Sequence, residues 1–175
     1  PGPTAAMALS DVEVDRLADT LYDAYAEKEP IAPLSEETEF STADAYRVQF
    51  AVFDRLTAGS RRDCVGHKLG LVSEAKQDQL GIPEPIFGYV AEETVLETEP
   101  IPTTEMIAPR VEAEIGLVMD RDLEAPVSTT DVLSAVRAVV PVVEVLESRF
   151  QGWGIPTAQD VIADLTSAGK VVVGE

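Results

Sequence analysis

The sequence predicts an α+β protein in which N-terminal helices precede a mixed β-roll or barrel. Apolar side chains recur at helical spacing through the first part of the chain. From Cys64 onward, short apolar runs interrupted by glycine and proline indicate a β-rich fold. With 175 residues, the chain is long enough to bury its own core. We expect one domain over residues 9–175, helical over 9–60 and β-rich over 61–175, after a disordered or cloning-derived end at residues 1–8.

Two N-terminal helices are predicted from their caps and apolar stripes. The first begins after Ser10, a good N-cap residue, and ends before Pro30. The second begins after Ser41 or Thr42 and ends near Gly59, because glycine favours helix termination.

The β-rich part is predicted from short apolar runs with turn residues between them. The expected strands are 64–70, 87–90, 110–118, 142–149 and 170–174. The expected intervening helices are 73–79, 130–139 and 156–164.

The charge balance excludes two classes of partner. The net charge is -19, from 32 acidic and 13 basic residues. Such a surface repels nucleic acid and anionic lipid, so we expect neither as a partner. Two explanations remain open and are compatible: the solvated surface of a halophile, or acidic loops gathered around a cation.

Other sequence features narrow the chemistry and the location. One cysteine and one histidine exclude an intramolecular disulfide and any site that needs two histidines. Neither a phosphate-binding glycine loop nor a Gly-x-Ser-x-Gly elbow is present. No apolar run is long enough to span a membrane, and the N-terminus has no signal-peptide pattern. We therefore expect no membrane partner and a cytoplasmic location.

Three glutamates provide the best local signal for a functional site. Glu112 and Glu114 project together, because residues i and i+2 of a strand share a face. Glu144 lies in an apolar run, where an unpaired carboxylate is costly to bury. A solvated strand face explains the first pair without a ligand, whereas Mg²⁺ or Mn²⁺ would suit all three carboxylates. Strand alternation places Glu147 on the face opposite to Glu144.

Lys68 is the second candidate, because it lies in an apolar strand flanked by Gly66 and Gly70. An ammonium group in such a strand needs an anionic partner. Either a substrate carboxylate or a protein carboxylate would serve, and the sequence leaves both open.

Several segments together carry a family resemblance that spans roughly residues 10–174. The matching segments are 66–71, 79–88, 109–115, 143–149, Trp153 and 160–164. In order and spacing they resemble the 2-keto-4-pentenoate hydratase and 4-oxalocrotonate decarboxylase family, which has the fumarylacetoacetase-like fold.

The resemblance implies a site and a reaction. It implies that the three glutamates bind a divalent metal, usually Mg²⁺, which chelates a small 2-oxo acid and stabilises its enolate. Lys68 would contact the charged head of the substrate as a catalytic residue, with Leu71 and Ser167 as further substrate-binding residues. Hydratases of the family add water to a 2-hydroxydienoate and decarboxylases release CO₂ from 4-oxalocrotonate, both in meta-cleavage breakdown of aromatic compounds. A homo-oligomer is expected.

The sequence departs from the family pattern at several positions. Ile86 replaces the acidic residue proposed as general acid or base, and Glu84 is the candidate stand-in. Leu165 replaces an asparagine and Val72 replaces a threonine. The chain stops at Glu175, where family members continue through further strands, so we expect a fold truncated at the C-terminus. The expected function is a hydratase, with a decarboxylase, an acylpyruvate hydrolase or an inactive metal-binding subunit as alternatives.

The charge balance generates a prediction about salt. We expect the melting temperature to be higher in molar KCl than in dilute buffer, because salt screens repulsion among the acidic side chains. Thermal unfolding followed by circular dichroism in both buffers measures the difference. A melting temperature that does not rise with KCl would contradict the halophile explanation.

Overall fold

Helices and strands alternate along the computed structural model, which describes residues 8–58, 64–98, 100–154 and 157–174. The helices are α1 (Asp11–Glu27), α2 (Thr42–Leu56), α3 (Glu74–Leu80), α4 (Thr129–Ala135) and α5 (Ala158–Ala163). The strands are β1 (Cys64–Gly70), β2 (Ile86–Ala91), β3 (Val95–Leu96), β4 (Arg110–Met119), β5 (Val136–Leu146) and β6 (Lys170–Val173). The predicted mixed α+β class is confirmed. Residues 1–7, the predicted helix end near Gly59 and the terminal Glu175 lie outside the described residues.

Two sheets organise the strands. β1 and β2 form an antiparallel pair, and the other four strands lie in the order β3-β6-β5-β4. The second sheet is mixed, because β3 runs parallel to β6 while the other pairs are antiparallel. β5 is therefore a central strand, and β4 lies at an edge.

The two long helices form as their caps predict. Ser10 and Ser41 each accept a hydrogen bond from the third helical residue, and the side chains of Glu13 and Asp44 complete the two capping boxes. The apolar stripes of α1 and α2 pack together with residues of β2 and α5 in one hydrophobic core. Its members include Leu17, Leu21, Val48, Phe53, Ile86, Phe150 and Ile162. No helix among the described residues has the length and apolar character to cross a membrane.

The predicted end of the helix at residue 139 and the predicted start of the strand at residue 142 are both wrong. The helix stops at Ala135, and the strand already begins at Val136. The ten-residue strand β4 pairs along its whole length with β5, and the valine-rich sequence of β5 suits a strand better than a helix.

The strand also ends earlier than predicted, at Leu146. Alternation therefore does not separate the side chains that follow. Glu147 therefore lies beyond the strand, where alternation does not fix its direction; its side chain is buried and is not a member of the cluster formed by Glu112, Glu114 and Glu144.

A left-handed turn connects α5 to β6. Leu165, Thr166 and Ser167 have φ values of 53°, 53° and 60°, although none is glycine. Such a conformation costs about 1–3 kcal/mol per residue, so surrounding contacts must hold the turn in place. Asparagine adopts it more readily than leucine does, so the departure at position 165 adds strain.

Gly88 on β2 makes room for this turn. A Cβ atom at Gly88 would lie 2.2 Å from the carbonyl oxygen of Leu165, a distance that excludes any side chain. The turn thus packs directly on the backbone of β2.

The outer face of the β4–β5 ribbon is apolar and exposed. Its exposed side chains include Val111, Ile115, Leu117, Val139 and Val143. We call this surface the ribbon face. It lies beside the edge of β4 that pairs with no other strand among the described residues.

We predict that Gly88→Ala lowers the free energy of unfolding by about 2–3 kcal/mol, because overpacking forces the turn off β2. Urea unfolding measures the change. Gly66→Ala on β1 is the matched control, since no atom lies within 4 Å of a Cβ placed there. Equal effects of the two substitutions would show that the turn does not depend on Gly88.

Candidate metal centre

Three carboxylates converge on the inner face of the β4–β5 ribbon. Glu112 on β4 lies directly opposite Glu144 on β5, and Glu114 is two residues further along β4. Each of the three offers an oxygen, and these oxygens lie within 4.8 Å of one another. The geometry follows from cross-strand pairing together with the i, i+2 rule.

The strand positions set very different environments for the three carboxylates. Glu144 is 1% exposed because β5 has a neighbour on each side, with Val171 of β6 on the flank away from β4. Glu112 is exposed and Glu114 half-buried, since β4 is an edge strand. Burial raises the pKa of Glu144, the nearby Glu114 and Glu112 add to the rise, and Lys68 opposes it.

Lys68 reaches this cluster from the other sheet. Its Nζ lies 2.9 Å from Oε1 of Glu144, and both side chains are largely buried. Of the two anionic partners that the sequence left open for Lys68, the structure shows the protein carboxylate. Removing one member of such a buried pair costs about 3–5 kcal/mol, because the remaining charge has no partner.

The residues present suit a divalent cation. Three carboxylates and one ammonium leave two negative charges, which a divalent ion would balance. Neither oxygen of Glu144 accepts a well-directed hydrogen bond from the described residues, although both are buried. Oxygen-only donor sets of this kind favour hard cations such as Mg²⁺ and Mn²⁺.

The remaining predicted site residues lie in three different places. Leu71 follows β1 with a φ of 54°, and its carbonyl accepts a hydrogen bond of 2.8 Å from Gln77 Nε2. Ser167 is buried at the end of the left-handed turn, and its carbonyl accepts a hydrogen bond from the Glu147 amide. Glu84 is exposed in the bend before β2, and its charge helps to raise the pKa of Tyr46 on α2 after the larger effect of burial. Glu84 is not a member of the acidic cluster.

Glu147 follows Glu144 by three residues and is also buried, but it has its own partners. Its Oε1 accepts a hydrogen bond of 2.8 Å from the Ile107 amide, and its Oε2 lies 3.9 Å from Nη1 of Arg149. Because these contacts are with Ile107 and Arg149 and Glu147 is outside the acidic cluster, Glu147 serves as a matched control for the three converging glutamates.

Sequence reasoning missed a second buried ion pair, between Arg149 and Asp164. Nε of Arg149 bonds Oδ1 of Asp164, and both side chains are almost fully buried. Burial raises the pKa of Asp164 to about 6, while the guanidinium of Arg149 opposes the rise. The available signal was an acidic residue inside the apolar run of α5 and the following turn.

Comparison with known proteins shows sequence relatives over most of the chain, although no family model matches it. A 2-hydroxypent-2,4-dienoate hydratase of Pseudomonas putida is 38% identical over 166 residues, which cover 93% of this chain and 74% of that protein. A 2-keto-4-pentenoate hydratase of Paraburkholderia xenovorans is 39% identical over 163 residues, which cover 91% of this chain and 60% of that protein. The chain thus spans between 60% and 74% of the length of these two curated relatives.

A solved structure gives the same grouping. The 4-oxalocrotonate decarboxylase from Pseudomonas putida G7, complexed with magnesium and adipate, matches with a TM-score of 0.85 and 31% identity. The match covers 95% of this chain and 64% of that chain. Likeness in sequence and in structure therefore points to one group of proteins.

We predict that Glu114→Gln weakens Mg²⁺ binding at least tenfold, because it removes one of the three converging charges. Isothermal titration calorimetry with MgCl₂ measures the affinity. Glu147→Gln is the control and should leave the affinity within twofold of the original protein. Unchanged Mg²⁺ affinity in Glu114→Gln would remove the cluster as the metal site.

Proposed function

Because this chain belongs to the 2-keto-4-pentenoate hydratase and 4-oxalocrotonate decarboxylase family, we propose that it is a divalent-metal-dependent lyase acting on a small 2-oxo-enoate. The observation that carries the proposal is the convergence of Glu112, Glu114 and Glu144 beside the buried ammonium of Lys68. The reaction we favour is hydration of 2-hydroxypenta-2,4-dienoate, a step in the meta-cleavage breakdown of aromatic compounds.

The three glutamates would hold the cation, with Mg²⁺ or Mn²⁺ as the ion of choice. When bound, the ion supplies a Lewis acid that polarises the 2-oxo group of the substrate. The chain itself contributes the charge distribution. The two edge-strand glutamates are accessible to solvent, so the ion and the substrate can approach from that side.

Lys68 has the position and the donors to orient the substrate. Its ammonium has three N–H donors, and the ion pair with Glu144 at 2.9 Å leaves at least two of them available. A remaining donor can bind the carboxylate of a 2-oxo acid. Because Lys68 is largely buried, that interaction would be stronger than it would be in bulk water.

Three observations bear on the choice between hydration and decarboxylation. The two curated relatives at 38% and 39% identity are named hydratases, which favours hydration. Against this, Ile86 is an apolar residue packed in the core, and Glu84 is exposed outside the acidic cluster. Hydration needs a group that delivers a proton to the alkene, whereas decarboxylation makes a weaker demand. Decarboxylation of 4-oxalocrotonate is therefore the second candidate.

We further propose the fumarylacetoacetase-like fold, with residues 9–175 in one domain. One hydrophobic core containing residues of α1, α2, β2 and α5 supports a single domain. A homo-oligomer is proposed as well, because the exposed ribbon face offers an apolar surface that association would cover.

An assay with two substrates tests the proposed function. Purified protein with Mg²⁺ is given 2-hydroxypenta-2,4-dienoate and, separately, 4-oxalocrotonate, while dienol loss and CO₂ release are followed. We expect dienol loss that stops when EDTA removes the metal. CO₂ release alone would select the decarboxylase, and turnover of neither substrate with Mg²⁺ bound would indicate an inactive or partial subunit.

Glu84→Gln completes this assay. Because Glu84 is exposed and lies outside the cluster, we expect the variant to keep at least half of the hydration rate. Loss of hydration with unchanged Mg²⁺ affinity would instead assign the proton-transfer role to Glu84.

A further inference from the structure

The left-handed turn at residues 165–167 connects the two sheets that carry the site. Oγ1 of Thr166 donates a hydrogen bond of 2.7 Å to the carbonyl of Phe87 on β2. One residue later, the carbonyl of Ser167 accepts a hydrogen bond of 3.0 Å from the amide of Glu147, just beyond β5. Adjacent residues of one turn thus bond to β2 and to the segment that directly follows β5.

These attachment points lie close to the two members of the buried ion pair. Gly88, on which the turn packs, is the cross-strand partner of Lys68. Gly70 lies two residues after Lys68, and a Cβ added at Gly70 would lie 3.0 Å from Cγ2 of Thr166. On the other sheet, Glu147 is three residues from Glu144. The turn therefore lies where it can set the spacing between Lys68 and Glu144.

Arg149 and Asp164 hold the turn at both ends. Nη2 of Arg149 donates to the carbonyl of Asp164, before the turn, at 2.7 Å. Nη1 donates to the carbonyl of Ala168, after the turn, at 3.3 Å. The carboxylate of Asp164 in turn bonds the guanidinium and accepts a hydrogen bond from the Arg149 amide. Because guanidinium is rigid and planar, it fixes the distance between the two carbonyls.

We propose that Arg149, Asp164 and Thr166 are positioning residues that act through the left-handed turn to hold Lys68 at its distance from Glu144. This role rests on the proposed function: by holding the turn, the three residues would determine how the Lys68 ammonium contacts the carboxylate of the 2-oxo acid. The three glutamates that would bind the metal lie on the paired strands β4 and β5, whereas Thr166 bonds to β2, beside the strand that carries Lys68. We therefore expect loss of the Thr166 hydrogen bond to displace the lysine more than the glutamates.

The test is a double-mutant cycle of Thr166→Val with Lys68→Met. Thr166→Val removes the hydrogen bond to Phe87 and keeps the side-chain volume. Urea unfolding without divalent metal gives the midpoint for the original protein, both single variants and the double variant. We expect the drop in midpoint caused by Thr166→Val to be at least one third smaller in the Lys68→Met background. Additive effects would overturn the proposal.

Thr57→Val is the matched control. It also removes a buried hydrogen bond from a threonine hydroxyl to a backbone carbonyl, that of Phe53 at 2.9 Å, but at the end of α2. Its effect on the midpoint should be the same with and without Lys68. Equal coupling of Thr57 and Thr166 to Lys68 would show a general loss of stability and count against the proposal.

Ligand binding supplies a readout that lost stability alone would not move. With saturating Mg²⁺ and well below the melting temperature, we expect Thr166→Val to raise the Kd of oxalate at least threefold. The increase in Kd should disappear in the Lys68→Met background. The Mg²⁺ affinity of the Thr166→Val single variant should stay within twofold of that of the original protein. Arg149→Lys, which keeps the charge but cannot span both carbonyls, should act in the same direction; no effect on either readout would remove Arg149 from the proposal.

The two proposals fail in different ways. Coupling of Thr166 to Lys68 without turnover of either dienoate or oxalocrotonate would reject the proposed function and keep the positioning role. Mg²⁺-dependent turnover with additive unfolding effects would reject the positioning role and keep the function.

Discussion

The burial of the Glu144 carboxylate is the constraint on which the rest of the structure depends. A charge at 1% exposure on a central strand is unfavourable unless a positive charge lies against it. Lys68 supplies that charge from the other sheet. The electrostatics of the site therefore depend on how the two sheets pack against each other. Glu112 and Glu114 tolerate each other because the edge strand leaves them in contact with water.

The same constraint accounts for the strained backbone nearby. Three consecutive non-glycine residues in the left-handed region persist only if several contacts determine them at once. Here a guanidinium fork, a threonine hydroxyl and a glycine without a side chain act on one short turn. We infer that the strained turn helps to fix the distance between two sheets whose described strands do not pair with each other.

Local patterns in the sequence predicted the local structure well. Periodicity and caps located α1 and α2, and the i, i+2 spacing correctly placed Glu112 and Glu114 on one face. The start of β5 was missed because its valine run continues directly from the helix α4, and only pairing with β4 decides between helix and strand. The Arg149–Asp164 pair depends on packing around a turn that no local period describes. Sequence alone could therefore find the three converging glutamates but not the turn that packs between the two sheets.

The ribbon face links the high negative charge to colloidal behaviour. An apolar surface beside an open strand edge is a template for pairing between molecules, and mutual repulsion of chains with a charge of -19 opposes that approach. The screening length falls from about 10 Å at 0.1 M salt to about 3 Å at 1 M. Added salt should therefore act in two directions, by relieving repulsion within each molecule and by letting ribbons of different molecules meet. The same concentrated salt that raises the free energy of unfolding would also promote aggregation of the protein in solution.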